Sequence, residues 1–572
     1  MAYKTVILGP PGTGKTTALI RIIEEDMQRF NITPAHVAMC TFTRSAARVY
    51  ASRIRRKHPD LSEGEFFNFR TMHSMCARLL GLKKEDFVDP GHIYRMIETN
   101  MDDVFDEVPP IILDDDIEEE DDDLIDSIFI ESAFSLSQAV DNAMLSKMIA
   151  VDNLLRLCLI EDYDFKELWK KTGVTLEYYD RADRVMRVIP EDVMIDFSES
   201  WKDFLIMKDL YDYTRVLEEV YEEGLCPDVM VLLGDEGQDY SRLQYEIHNM
   251  WSENVRKSYI AADPNQAIYR FAGADPTLIL KDRFDERKEL TQTYRFGKSI
   301  LENSKKYIDR VREKANVSYK PARVKDAVRS VKDEKRLNEM IKNLDTDRKT
   351  LVLARTNKMV STLGLVFEKY GKKFDYLDSK KSEVARYIET YNILAALERG
   401  EEVSTEDMLK LLRRMRVKVK VEKTTLTGEK VEEKKQILKM GVKKKLREGV
   451  IKNKAWNKRL VEKMLLKRPW DSKLMMKSLG IYDSEYLRQH YPEHIEMEIN
   501  VKLGTIHRAK GMEADVVWLF CDIPYPVQKE ILHSEDALDA ECRVFYVGAT
   551  RAKRELYEID RIFPVDTIKN YI

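Results

Sequence analysis

Short apolar runs alternate with longer stretches of helical spacing over the first eighty residues. Residues 5–8 form one such run, and residues 17–30 repeat their apolar positions at helical intervals. Residues 36–43 predict a second strand, 44–57 a helix, and 68–72 a further strand followed by a helix through Leu80. This is the alternation of a parallel sheet with crossover helices. Between residues 81 and 214 helical spacing dominates and strand runs are few. The sheet pattern returns at 229–233, 258–262 and 350–354. A second helical stretch covers 399–496, and the last sheet-forming runs are 501–506, 515–520 and 556–559. The class is α/β, with two sheet domains, each interrupted by a mostly helical insertion. The first domain takes residues 1–80 and 215–297 around an insertion at 81–214. The second takes 298–398 and 497–572 around an insertion at 399–496.

The length, 572 residues, agrees with such a plan at about 150 residues per domain. A net charge of −5 excludes a uniformly basic polyanion binder, but the average hides a division. Residues 114–123 are almost wholly acidic, whereas lysine and arginine crowd residues 410–468. The acidic run reads most simply as a solvated loop, with a mimic of DNA charge or a gate beside a basic groove as the functional alternatives. The basic stretch is either a solvated helical face or a grip on duplex nucleic acid. The six cysteines are scattered without C-x-x-C spacing, so reduced thiols and no structural metal cluster are expected. No apolar run reaches the roughly 20 residues of a membrane helix, and a cytoplasmic protein is expected.

The chemistry begins at Gly9-Pro10-Pro11-Gly12-Thr13-Gly14-Lys15-Thr16. It fits G-x-x-x-x-G-K-[ST] between a strand and a helix, the context a phosphate-binding loop requires. Backbone N–H groups and the helix N-terminus would face phosphate oxygens, with Thr17 next in line. Lys15 would reach the outer phosphates and Thr16 would ligate Mg²⁺. Leu233-Gly234-Asp235-Glu236 ends a second apolar run. Asp235 is assigned to the metal and Glu236 to the attacking water.

From here the motifs follow a known order, and the chain resembles the UvrD-like branch of superfamily 1 DNA helicases. The resemblance implies two RecA-like P-loop domains, ATP and Mg²⁺ as cofactors, and single-stranded DNA or its junction with duplex as partner. Thr41-Phe42-Thr43-Arg44-Ser45-Ala46-Ala47 is similar to T-F-T-N-x-A-A, which implies DNA contacts at Phe42 and Thr43. A core ring at a strand end is the alternative for Phe42. Thr71-Met72-His73-Ser74 resembles T-x-H-S and implies a backbone contact from His73. The stretch from Ala262 to Ala274 is similar to G-D-x-x-Q-S-I-Y-x-F-R-G-A. It implies that Gln266 senses the γ-phosphate while Tyr269 and Phe271 face DNA; Ala272 replaces the usual arginine.

Leu290-Thr291-Gln292-Thr293-Tyr294-Arg295-Phe296 resembles L-x-x-N-Y-R-S. The match implies adenine stacking by Tyr294 and a γ-phosphate contact by Arg295, while Thr293 and Phe296 depart from the pattern. Arg355 and Asn357 match an R-T-N segment that touches DNA. Residues 504–513 resemble T-x-H-x-x-K-G-L-E, implying a DNA phosphate at Thr505 and His507 and the nucleotide sugar at Glu513. Residues 541–552 are similar to E-R-R-L-x-Y-V-G-x-T-R-A and make Arg551 the arginine finger.

Only eight residues precede Gly9, too few for the family's upstream glutamine motif, so relaxed base selectivity is expected, resting on Tyr294. The chain ends about twenty residues after Arg551, so a fused nuclease is not expected. A monomer is expected, with self-association on DNA. The resemblance implies 3′ to 5′ movement. A helicase and a translocase that strips proteins from DNA use the same motifs and stay open as alternatives, whereas a non-enzymatic scaffold has no need of so many intact catalytic residues.

Overall fold

The computed structural model describes residues 3–101, 143–180, 185–377, 393–414, 418–424, 430–436, 455–466, 469–470, 475, 499–563 and 565–572. The acidic run at 114–123 and parts of the Lys-rich stretch lie outside them. The chain forms two compact units. One comprises Met1–Leu337, Leu353–Thr356 and Ala509–Ile572, the other Asn338–Val352 and Asn357–Arg508.

In the first unit the strands are β1 (Tyr3–Leu8), β2 (Val37–Thr41), β3 (Phe69–Thr71), β4 (Glu177–Asp180), β5 (Val185–Val188), β6 (Val231–Gly234), β7 (Lys257–Ala262) and β8 (Glu286–Glu289). Six of them make one sheet in the order β3-β2-β6-β7-β1-β8, with parallel pairing throughout. Alternation explains why both faces are covered. Val6, Leu8, Ala38, Cys40, Leu232 and Ile260 pack on one side, and Ile7, Val37, Met39, Val231, Leu233 and Tyr259 on the other. Each such large side chain contributes about 1.5–3 kcal/mol on burial. The edge strand β8, Glu-Arg-Lys-Glu, is charged, which discourages pairing with another chain. Its lack of apolar residues also hides it from a search for hydrophobic runs.

Helices α1 (Lys15–Phe30), α2 (Arg44–Lys57) and α3 (Met72–Leu79) follow β1, β2 and β3 directly. Thr43 caps α2 by accepting from the Ala46 N–H at 3.2 Å, and Thr71 caps α3 by accepting from Ser74 at 3.4 Å. Every strand therefore ends on a helix start or a tight turn at the same edge of the sheet, where open α/β sheets collect their ligands. Also in this unit, Ala514–Phe520, Ala552–Ile559 and Ala327–Val331 pair in parallel. In the other unit Asp375–Tyr376 pairs in parallel with Val501–Thr505. The α/β class with parallel sheets is thus as the periodicity implies.

The insertions are less purely helical than their sequence suggests. β4 and β5 form an antiparallel hairpin within residues 81–214, and Lys418–Thr424 pairs with Lys430–Gln436 in the second insertion. Lys418-Val419-Lys420-Val421 alternates with period two, a strand signature masked by the lysine content. No helix among the described residues is long and apolar enough to cross a membrane.

Residues 81–214 include a core of their own, in which Ile97, Met148, Leu168, Phe197 and Trp201 participate. A buried charge cluster ties its helices to Tyr213–Glu222. Arg156 donates to Asp212 at 2.8 Å, to Asp152 at 3.1 Å and to Glu218 at 2.9 Å, and the Trp201 indole donates to Asp212 at 2.9 Å. Burial, opposed by Arg156 and reinforced by Asp212, pushes Asp152 up to about 6. A carboxyl raised in this way stabilises the fold below its ordinary pKa, and that contribution is lost as pH rises through 6. Asp152→Asn should therefore gain stability relative to wild type between about pH 4 and about pH 7.5, by on the order of 1–3 kcal/mol. Urea denaturation of both proteins at the two pH values measures the difference.

Candidate functional site

The loop after β1 is shaped by its glycines and by what packs over it. The Gly9 N–H bonds the Ala262 carbonyl at 3.0 Å, extending the β1–β7 ladder by one residue. Gly12 has φ +71°, and a Cβ there would lie 2.5 Å from the Arg295 Cβ, so both backbone conformation and space demand glycine. Gly14, in the left-handed region, turns the chain into α1. Pro10 and Pro11 stiffen the first half, and Thr13 donates to the Pro10 carbonyl at 2.8 Å. The Lys15 ammonium folds back onto the Gly9 carbonyl at 2.8 Å. Thr16 and Thr17 occupy the first turn of the helix.

Segment 293–295 clamps the loop from outside. Thr293, wholly buried, donates its hydroxyl to the Pro11 carbonyl at 2.8 Å, and the Tyr294 N–H reaches the Gly12 carbonyl at 2.9 Å. The Tyr294 side chain beside this clamp is 74% exposed, an open face suited to stacking. Thr293, whose departure from the motif left the local bonding undefined, thus holds the phosphate loop in place.

Four carboxylates collect beyond β6 and β7. Asp235 receives the Glu236 N–H on Oδ1 at 2.9 Å and the Tyr50 phenol on Oδ2 at 2.6 Å. Burial and the neighbouring Glu236 push Asp235 up to about 6. Burial acts the same way on Glu236, but Lys15, Lys510, Gln238 and Arg551 outweigh it and hold this carboxyl below its ordinary range. Glu236 takes a left-handed backbone, φ 54°, a conformation uncommon outside glycine. Asp239 is ion-paired with Lys510 and Asp263 accepts from the Gln266 amide at 2.6 Å.

A continuous hydrogen-bonded chain crosses the site. Arg551, 2% exposed, donates to Gln266 Oε1 at 2.5 Å; Gln266 donates to Asp263; the Asp263 N–H donates to Gln238 at 2.8 Å; and Gln238 donates to Glu236. Burial, then proximity to Arg295, lowers Arg551 to about 9, which leaves it charged at neutral pH. Arg295 donates to Glu513 at 2.9 Å and to the Thr550 carbonyl at 3.1 Å. Glu513 also meets Lys553 at 2.6 Å, so both of its oxygens already face cations.

The nucleic-acid candidates divide. Phe42 stacks on Tyr269 with ring centres 5.4 Å apart and planes 9° apart, and Phe271 meets Tyr269 edge-on at 6.2 Å. Phe42 and Phe271 are exposed, as a stacking platform requires. His73 is half-buried, and burial pushes its imidazole down to about 4, so it offers a neutral N–H donor. Arg355 commits its Nε to Glu541 at 2.7 Å. Asn357, Thr505 and His507 belong to the other unit, where the Thr505 hydroxyl accepts from the Arg508 N–H at 3.4 Å.

Lys510 and Tyr50 carry no sequence assignment yet join the site. Lys510 pairs with Asp239, donates to the Gln266 carbonyl at 2.9 Å, and lies 4.8 Å above the Tyr269 ring. It sits inside the string of residues 504–513, so position in that motif was the available signal. Tyr50 lies within α2, outside every motif.

These groups fit a nucleoside triphosphate with a hard divalent cation. Crowded buried carboxylates want positive charge, the lysine and two arginines want negative, and the loop amides match phosphate. Among the described residues no cluster of three or more His, Cys, Asp or Glu could hold a metal unaided. Thr16 and Asp235 would hold a cation together with phosphate oxygens, as is usual for Mg²⁺.

Residues 1–287 match the family model for the UvrD/REP helicase N-terminal domain, and residues 298–560 match that for the UvrD-like helicase C-terminal domain. The chain is similar to a probable DNA helicase II homolog of Mycoplasma genitalium, 24% identical over 619 residues that cover 96% of this chain and 82% of the relative. The corresponding protein of Mycoplasma pneumoniae is 23% identical over 623 residues, covering 96% and 81%. The ATP-dependent DNA helicase PcrA of Bacillus subtilis is 25% identical over 308 residues, covering 52% of this chain and 36% of that protein.

Thr293→Val keeps the shape but leaves the Pro11 carbonyl without its donor, a loss of about 1–3 kcal/mol at a buried group. The loop should hold phosphate less well, and fluorescence titration with a labelled ATP analogue should show weakening by about tenfold or more. Thr293→Ser, which keeps the hydroxyl, should retain most of the affinity.

Proposed function

The chain belongs to the UvrD-like helicase family, and we propose that it is an ATP-driven motor that moves 3′ to 5′ along single-stranded DNA and unwinds duplex. The observation that carries this reading is Lys510. One ammonium touches Asp239 and the Gln266 carbonyl at the hydrolytic site and also the Tyr269 ring of the exposed aromatic group. A change in charge at the carboxylates is thereby felt at the rings.

In this reading, the P-loop amides and Lys15 bind the phosphates of ATP, and Tyr294 stacks on adenine. Thr16 and Asp235 would hold Mg²⁺, which would supply charge neutralisation at the phosphates. Glu236, kept ionised by the surrounding cations, orients the attacking water and takes its proton. Arg551 and Arg295 face the charge that develops on the transferred phosphoryl group, the role in which such arginines contribute about 10³–10⁵ in rate. Arg551 must release Gln266 to do so, and the Gln266 amide nitrogen, which keeps a second N–H beside the one given to Asp263, can then donate toward the γ-phosphate. Repartnering of this kind links nucleotide state to the track beside Lys510. On the track, Phe42 and Phe271 stack bases without regard to sequence, each base contributing about 1–3 kcal/mol.

Hydrolysis measured with and without single-stranded DNA, together with unwinding of duplexes carrying a 3′ or a 5′ tail, tests the proposal. Strong stimulation by DNA and unwinding confined to the 3′-tailed substrate are expected, and Lys15→Ala should abolish both. Unwinding from the 5′ tail alone would overturn the polarity. Stimulated hydrolysis with no strand separation on either substrate would identify a translocase instead. Phe271→Ala should weaken single-strand binding by about 1–3 kcal/mol in fluorescence anisotropy.

A further inference from the structure

Tyr50 has no place in the mechanism above, yet its hydroxyl lies at the metal site. The ring is buried against the sheet, in the same core as Ile20, Ile23, Met39 and Phe69, so the hydroxyl cannot swing away. It donates to Asp235 Oδ2 at 2.6 Å. The hydroxyl therefore touches a side chain to which the divalent cation is assigned.

The direction of this bond matters. Asp235 is ionised when it serves as a ligand and can only accept, so the phenol proton points at Oδ2. The carboxylate is fixed at both ends, since Oδ1 accepts from the Glu236 N–H at 2.9 Å. Phenylalanine would fill the same volume without bringing a hydroxyl into the interior. A buried hydroxyl that serves no partner is costly, and here it serves the carboxylate.

We propose that Tyr50 is a positioning residue for the divalent cation of the nucleotide site, aligning the Asp235 carboxylate through its Oδ2. This rests on the nucleotide-hydrolysis reading. Loss of an outer hydrogen bond to a metal ligand typically weakens metal binding about 10- to 100-fold.

The test is Tyr50→Phe in the full chain. Binding of a fluorescent ATP analogue is titrated in Mg²⁺ and again in EDTA, with binding of Mn²⁺ and the analogue followed by electron paramagnetic resonance and the melting temperature recorded. The variant should bind the analogue as wild type does in EDTA, while the affinity gained on adding Mg²⁺ falls by about tenfold or more and Mn²⁺ binding weakens in parallel. An equal Mg²⁺-dependent gain in variant and wild type overturns the proposal. So does an equal loss of affinity in EDTA and in Mg²⁺ with a lowered melting temperature, which marks a packing role. Wild type that binds no nucleotide in either condition overturns the nucleotide reading itself.

Discussion

Crowding of negative charge at one edge of the first sheet is the constraint on which the rest of this site depends. Asp235, Glu236, Asp239 and Asp263 lie just beyond the ends of β6 and β7, with Glu236 half-buried and the other three buried. Removing one carboxylate from water costs several kcal/mol even after relaxation, and like neighbours add to that cost. The fold answers with cations from distant parts of the chain: Lys15 from the phosphate loop, Lys510 and Arg551 from the C-terminal segment. The division of ionisation follows from where they stand. Glu236, nearest to most of them, is driven toward its charged form, whereas Asp235 and Asp239 are pushed up to about 6 by burial. A site with one committed base beside carboxylates still short of positive charge suits a reaction that brings in a metal and a polyanion together.

Much of this was legible in the chain because each motif joins a strand end to a turn of fixed chemistry. Gly9 to Thr16 could be read in full, since backbone shape and phosphate contact both restrict the residues allowed there. Residues 44–57 and 350–354 were bounded as the structure has them because their apolar spacing is regular. Thr293, Lys510 and Tyr50 each act through a contact made across a long sequence separation. Lys510 at least stands at the lysine of its motif, whereas nothing local announces the contact of Thr293 or Tyr50. The charged edge strand β8 and the lysine-rich hairpin at 418–436 were hidden for another reason: their composition speaks of solvent, while hydrogen bonding to a neighbour makes them strands.

The phosphate loop is not a free glycine turn waiting for a ligand. Its Pro11 and Gly12 carbonyls are tied to Thr293 and Tyr294, and Arg295 follows at once in the chain. The residue that positions the loop, the one proposed to stack on a base and the one that presents a guanidinium are therefore three neighbours on one segment, and a shift of that segment would move all three at the same time.

The stacked pair of Phe42 and Tyr269 would set the character of the proposed nucleic-acid track. Each ring already has an aromatic partner, so a base stacking on the exposed face of Phe42 would meet a ring already held in place. Stacking of that kind takes any base alike. A track made this way would hold each position of the strand with similar strength and favour none.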